Sequence, residues 1–410
     1  MLMLIVNRID NQHQNRYRHP MIKRTITPKL LDLSAHFPVV TITGPRQSGK
    51  TTLCKLAFPD KEYVSLEYPD IREFAQTDPR GFVAQYRGGA VLDEVQRVPG
   101  LLSYIQGVVD DDPAPGRFIL TGSANFSLLE SVSQSLAGRT AILTLLPFTL
   151  KEQRMLLQRD HTLFEAVFTG GFPPIYDRSP HPPDWFQSYM GTYLERDVRR
   201  LLNVTDLSAF QTFLGLCAGH SGQLMNLSRL GSDTGISHNT AKSWISVLET
   251  SYILHKLQPL HANIKKRLIR TPKLMFTDSG LLCHLLGIRT PDELRTHPLR
   301  GAIFETFVVS EILKQRFNHG ENRRMNYYRD RQGLEIDAVI EKGRDLLCME
   351  AKSSETITSS HFKGLNTFRR LMAESDRRIT PVVIYGGDDD QKRSDVTVLS
   401  WKRIHDTVWY

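Results

Sequence analysis

Between Pro38 and Pro147, short apolar runs alternate with stretches of helical period: Val39–Ile42, Tyr63–Leu66, Ala90–Leu92, Phe118–Thr121 and Ala141–Leu145. A strand with one wet face alternates apolar and polar residues, whereas a continuously apolar run is covered on both faces. The pattern therefore predicts an α/β fold, with a parallel sheet and crossover helices on both faces over residues 21–150. From 151 to 219 helical spacing dominates, broken at Gly170-Gly171-Phe172-Pro173-Pro174 and at Pro180–Pro183. This stretch reads as a helical lid or linker. The grain changes again at 220. A short helix from Leu227, a turn at Asp233–Ser237 and a helix over Asn239–Ser251 set Ala241, Trp244, Ile245 and Leu248 on one face. The alternating run Tyr252–Leu257 follows, so helix, turn, helix and β-wing predict a winged helix-turn-helix over 220–290. Beyond Pro298, a helix over Gly301–Phe317 precedes strand-like runs at Asn326–Arg329, Leu334–Glu341, Leu346–Lys352 and Pro381–Tyr385. They predict a last α/β domain over 295–410. Residues 1–20 carry no such pattern and read as a polar, disordered arm, with Met21 as an alternative start.

Composition narrows the class. Of 410 residues, 40% are hydrophobic and 23% charged, the profile of a globular chain. Its 52 Lys and Arg against 44 Asp and Glu leave a formal charge of +8, which favours a polyanionic partner. Cys54, Cys217, Cys283 and Cys348 lie far apart with no CxxC pair. That excludes a disulfide scaffold and a zinc cluster, and fits a reducing cytoplasm. No apolar run approaches the ~18 residues of a membrane span.

The first chemistry lies in Gly44-Pro45-Arg46-Gln47-Ser48-Gly49-Lys50-Thr51, a full GxxxxGK[ST] loop continued by Thr52. It follows an apolar strand and opens a helix over Lys50–Phe58, the setting in which the motif cradles phosphates. Glycines let backbone N–H groups curl around phosphate oxygens, and the helix N-terminus adds partial positive charge. Lys50 would reach the β- and γ-phosphates of ATP, and the Thr51 hydroxyl would ligate Mg²⁺. A partner carboxylate is expected at the end of another strand. Ala90-Val91-Leu92-Asp93-Glu94 supplies it 43 residues after Lys50, with Asp93 placed to hold Mg²⁺ and Glu94 to polarise an attacking water. Ser123, after the strand Phe118–Thr121, reads as a γ-phosphate sensor, with Thr121 and Asn125 as alternates and turn capping as the plain reading.

The loop, the Leu92-Asp93-Glu94 strand end and Leu120-Thr121-Gly122-Ser123 resemble prokaryotic AAA-type ATPases that carry a C-terminal domain of unknown function of the DUF4143 kind. Leu136-Ala137-Gly138-Arg139, Gly170-Gly171-Phe172-Pro173 and Tyr193-Leu194-Glu195-Arg196-Asp197 are similar to segments of the same group. The resemblance spans the chain from about residue 21 and implies ATP rather than GTP; no guanine-specifying NKxD is present. Arg139 and Arg196 are candidates for an arginine finger, against the plain reading of solvated surface arginines.

Downstream, His261–Met275 carries Lys265, Lys266, Arg267, Arg270 and Lys273 with no acid. Such a run beside a recognition helix suits contacts to a DNA backbone, though a lid or protein contact would use the same fold. Asn239, Lys242 and Ser243 are the base readers on offer, and no pair of arginines is there for guanine. The final domain has Glu305 on a helix, Asp337 after Glu335-Ile336, and Glu350-Ala351-Lys352 ending a strand. Period-two alternation puts Glu350 and Lys352 on one face. Carboxylates with a lysine suit phosphodiester hydrolysis through a second Mg²⁺ or Mn²⁺, with Asp337, Glu350 and then Glu305 as ligands and Lys352 at the water. The arrangement resembles the PD-(D/E)xK nucleases and implies a restriction-endonuclease-like fold, with Ile336 where the family has proline. The alternative is a structural salt-bridge cluster in an inactive relative. Function therefore reads as a slow Mg-dependent ATPase controlling a nuclease-like domain, or as an ATP-switched binding module; an oligomer fits either.

Overall fold

A strand apolar along its whole length is stable only inside a sheet covered on both sides. The computed structural model describes residues 22–123, 132, 134–157, 160–194, 206–260, 271–321, 325–373, 375–393 and 395–410, and builds such a sheet first. Strands β1 (Val39–Thr43), β2 (Glu62–Ser65), β3 (Ala90–Asp93), β4 (Phe118–Thr121) and β5 (Thr140–Thr144) are all parallel, in the order β2-β3-β4-β1-β5. The three inner strands are buried at every position, while the edge strands β2 and β5 are partly open. Two separate cores flank the sheet. Leu92, Leu101, Ile105 and Leu120 belong to one, and Ile42, Leu53, Ile119 and Leu145 to the other. The parallel sheet with helices on both faces is the fold that the apolar runs predict.

Beyond β5 the chain builds a second, mixed sheet. It comprises β6 (Leu254–Pro259), β7 (Lys273–Phe276), β8 (Asn326–Arg329), β9 (Glu335–Lys342), β10 (Asp345–Lys352), β11 (Arg378–Tyr385), β12 (Gln391–Lys392) and β13 (Thr397–Ser400). Their order is β12-β13-β11-β10-β9-β8-β6-β7. β6 and β7 form an antiparallel pair, with Leu257 opposite Lys273, and β6 runs parallel to β8 through Gln258 and Pro259. The hairpin expected of a wing is thus the edge of the last sheet.

Before that hairpin, the helices Leu227–Thr234 and His238–Thr250 are joined through Gly235 in the left-handed conformation, where glycine carries no Cβ penalty. Trp244 packs edge-on against Phe210 and Phe213, at 5.2 Å from each ring. One core therefore runs from Leu146 through Phe213, Trp244 and Phe307 to Trp409. The helix Arg300–Asn318 crosses it, and its buried face includes Glu311 and Lys314 as well as apolar residues. Among the described residues no helix is long and apolar enough to cross a membrane.

Candidate nucleotide site and the C-terminal carboxylate cluster

The loop Gly44–Thr51 leaves β1 at the carboxyl edge of the first sheet, the edge at which open parallel sheets hold ligands. Gly44 has φ 144° and lies so close to β5 that a Cβ would collide with the Leu145 carbonyl oxygen. Gly49, at φ 93°, caps the helix Lys50–Ala57 from the left-handed region. Both positions need glycine. Lys50 is 6% exposed and folds back on its own loop, donating to the carbonyls of Gly44 at 3.2 Å and Pro45 at 2.8 Å. Burial depresses its ammonium to about 8, against the pull of Glu94 and Asp93. A buried cation that spends its protons on carbonyls is poised to exchange them for phosphate oxygens.

Asp93 ends β3 as the focus of three hydroxyls. Thr51 Oγ1 donates to it at 3.0 Å, Tyr63 OH at 2.5 Å, and Thr121 Oγ1 to its other oxygen. The next residue, Glu94, takes φ 60°, unusual for a residue with a Cβ. Gln96 holds it there: its amide donates to the Glu94 carboxylate and, at 2.9 Å, to Ser123 Oγ. Burial raises the Glu94 carboxyl above its usual range, only partly opposed by Lys50. Glu94 and Ser123 are therefore tied into one unit beside the loop. Thr121 spends its hydroxyl on Asp93, and Asn125 lies outside the described residues.

The fold family implies Mg²⁺, and the donors fit it. A threonine hydroxyl and a carboxylate within 3.0 Å of each other, at the head of the loop helix, are hard oxygen ligands of the kind Mg²⁺ takes. A cavity of about 500 Å³ opens beside them, the size of a small-molecule site. Arg46, Gln47, Thr52 and Glu94 line one side, and Ile22, Phe148, Leu156, Pro173 and Pro174 give the other an apolar wall. Arg24 fixes that wall to the loop. It pairs with buried Glu152 at 3.0 Å, donates to the Ser48 carbonyl at 2.8 Å and to the Leu146 carbonyl at 2.9 Å, and lies over the Phe148 ring.

Sequence reasoning missed Arg24, Tyr63 and Gln96. None belongs to a motif, and only Gln96 lies near one. Of the two finger candidates, Arg139 pairs with Asp110 and donates to the Ala137 carbonyl at 2.9 Å. Its own carbonyl accepts from Val39, at the start of β1 and so at the edge opposite the loop. Arg196 lies outside the described residues.

In the second sheet, β9 and β10 run antiparallel with Ala338 opposite Met349, which makes Asp337 and Glu350 neighbours across the ladder. Asp337 Oδ2 accepts from the Ala351 amide at 2.9 Å, and Lys352 Nζ donates to Glu350 at 2.6 Å. Glu305 reaches the same place from the helix Arg300–Asn318, so the four expected residues come together. A fifth and a sixth join them. Lys273 Nζ sits 2.8 Å from Glu305, in contact with Glu335 and 3.9 Å from Asp337. Burial, the charge of Asp337 and the other acids push the Glu305 and Glu350 carboxyls upward, opposed by Lys273 and Lys352 respectively. For Lys273 the surrounding acids outweigh its own burial and hold the amine protonated. With an exposure of 1%, Lys273 is no surface cation, which corrects its place in the basic run expected to meet DNA. Lys265, Lys266, Arg267 and Arg270 lie outside the described residues, while Asn239, Lys242 and Ser243 are exposed. A divalent ion does not fit this cluster as it stands. Among the described residues no group of three or more His, Cys, Asp or Glu side chains is arranged to hold a metal.

Family comparisons match residues 36–153 to an AAA domain, 160–292 to a domain of unknown function (DUF8612) and 300–404 to another (DUF4143). An uncharacterized protein of Mycobacterium tuberculosis is 30% identical over 324 residues, covering 78% of this chain and 71% of that protein; its Mycobacterium bovis counterpart matches equally. Among solved structures, a Walker-type ATPase of Pyrococcus abyssi superposes with a TM-score of 0.46 at 14% identity, covering 65% of this chain and 96% of that one. RuvB of Thermotoga maritima gives 0.30 at 17%, covering 57% and 88%. With an AAA domain carrying the phosphate loop, a DUF4143 domain carrying the carboxylate cluster, and a 30% identical relative matched over most of its length, the chain belongs to the AAA ATPase family with a C-terminal DUF4143 domain.

Proposed function

We propose that this protein binds Mg·ATP at Gly44–Thr52 and hydrolyses it slowly. The observation that carries the reading is the meeting of Thr51 with Asp93 at 3.0 Å, with Glu94 lining the cavity along the loop. Thr51 and Asp93 would hold Mg²⁺, which would supply charge neutralisation at the phosphates. Lys50 would exchange its two carbonyl partners for phosphate oxygens. Glu94 would orient and deprotonate the attacking water, and Ser123, tied to it through Gln96, would respond to the γ-phosphate. The apolar wall from Ile22 to Pro174 would take the base. Glu94→Gln keeps the shape and removes the base, so phosphate release should fall by about 10²–10⁴-fold while ATP affinity holds. Turnover at the wild-type rate in that variant would remove Glu94 from the mechanism.

Residues 21–150 would be the ATPase unit, 151–219 its helical lid, 220–290 a winged-helix element and 295–410 a nuclease-like domain. Of the two outputs, control of metal-dependent cleavage and ATP-switched holding of DNA or protein, the second is favoured by Lys273 lying among the acids that cleavage would need. DNA would meet Lys265, Lys266, Arg267 and Arg270. Reversing the charge of the first three should then weaken binding to all sequences and flatten its salt dependence. An unchanged slope would leave that segment a lid or protein contact.

A further inference from the structure

We propose that Lys273 is the resident cation of the C-terminal carboxylate cluster, occupying the place of a divalent metal and keeping the site closed to one. The inference stands independently of the ATP reading. Four carboxylates converge here: Glu305, Glu335, Asp337 and Glu350. Like charges this close require compensation by a cation or by protons. Three cationic side chains already provide it. Lys273 contacts Glu305 and Glu335, Arg329 reaches the other Glu335 oxygen at 3.1 Å, and Lys352 holds Glu350 at 2.6 Å. A divalent ion would bring its charge to a cluster that is nearly balanced without it.

Geometry points the same way. A hard metal draws its carboxylate oxygens to a common point at ~2.0–2.6 Å. Here the oxygens turn to separate partners. Asp337 gives one oxygen to the Ala351 amide at 2.9 Å and turns the other toward Lys273 at 3.9 Å, while Glu350 gives one to Lys352. The shared point belongs to the Lys273 ammonium.

The lysine is delivered by the fold. Lys273 opens β7, whose pairing with β6 places it at the edge of the sheet, and its ammonium lies 5.6 Å from the Tyr327 ring. β7 is the last strand in the sheet order, and its outer edge is bonded in turn to residues 222–225: the Gly222 amide donates to the Leu274 carbonyl at 2.7 Å, the Leu274 amide to the Gln223 carbonyl at 2.9 Å, and Leu224 bridges to Lys273. Bonded on both sides, the strand holds the Lys273 ammonium in place, and removing that ammonium would leave the four carboxylates with two cations, Arg329 and Lys352.

The test uses the full chain without nucleotide and Mn²⁺ as the probe. Mn²⁺ binding is followed by electron paramagnetic resonance, and the thermal midpoint is measured with and without 1 mM-order Mn²⁺, roughly the upper end of the range in which protein sites bind such ions. The wild type should show no bound Mn²⁺, and no Mn²⁺-dependent shift of its midpoint, that disappears on Asp337→Asn. Lys273→Ala should gain one Mn²⁺, lost again when Asp337→Asn is added, together with a lowered midpoint that Mn²⁺ restores. Lys273→Arg keeps the charge and should behave as the wild type. If Lys273→Ala does not fold alone, it should fold when Mn²⁺ is present. An Asp337-dependent Mn²⁺ in the wild type would overturn the proposal. So would a folded Lys273→Ala that binds none, or an unfolded one that Mn²⁺ does not restore.

Discussion

Lys50→Ala is expected to abolish measurable ATP binding, with a loss on the order of a hundredfold or more in calorimetric affinity. Two charge-assisted hydrogen bonds at ~1.5–3 kcal/mol each amount to at least that factor. The variant should fold, because among the described residues the hydrogen bonds of Lys50 go to its own loop, to the carbonyls of Gly44 and Pro45. A pH signature accompanies the loss. Burial depresses Lys50 to about 8, so above that pH the free protein holds it neutral. A triphosphate favours the charged form, so binding above pH 8 must take up a proton, and affinity should fall as pH rises through 8 to 9. Below pH 8 the ammonium is already present and this dependence vanishes. Equal affinity at pH 7 and 9 in the wild type, or unchanged affinity in Lys50→Ala, would place the phosphates elsewhere.

The second large effect is on stability. Glu311→Gln should destabilise the fold by about 3–5 kcal/mol, the cost of leaving a buried charge without its partner. Glu311 is fully buried on the helix Arg300–Asn318. It pairs with Lys314 at 2.6 Å, accepts from the Leu150 amide at 2.8 Å, and faces His405 Nε2 at 2.7 Å. Lys314 also donates to the Phe148 carbonyl at 3.1 Å, so the cluster fastens the end of the first sheet to the C-terminal domain. Burial alone would raise the Glu311 carboxyl, but Lys314 and His405 outweigh it and bring it down to about 2. The folded value lies below the unfolded one, so the contribution is whole above about pH 4.5 and disappears as pH falls toward 2. Wild type and variant should therefore converge in acid. Glu341→Gln is the contrast: its pair with Arg377 is more than a third exposed on both sides and should change stability by less than about 1 kcal/mol. Urea titration from about pH 2 to pH 7 reads both. A Glu311→Gln protein as stable as the Glu341 variant would refute the buried network as a fastener.

What the sequence determined by itself is local. A strand, a glycine turn and a helix are contiguous, so GxxxxGK[ST] specifies its own backbone, and Gly44 and Gly49 occupy the conformations that demand glycine. Continuous apolar runs specify strands covered on both faces, because nothing else hides them. Even the meeting of Thr51 with Asp93 follows once both strands are parallel, since each ends at the same edge. Tertiary structure decided the partners. Gln96 acquires a role only when β4 brings Ser123 beside Glu94, and Tyr63 only when β2 lies next to β3. Lys273 shows the limit most plainly. In sequence it closes an acid-free basic run and looks solvated; in the fold it is buried among Glu305, Glu335 and Asp337, which lie 32 to 64 residues away. Hydrophobic period is a property of neighbours along the chain, whereas a charge takes its meaning from whatever folding brings within about 4 Å, where the interaction is strongest.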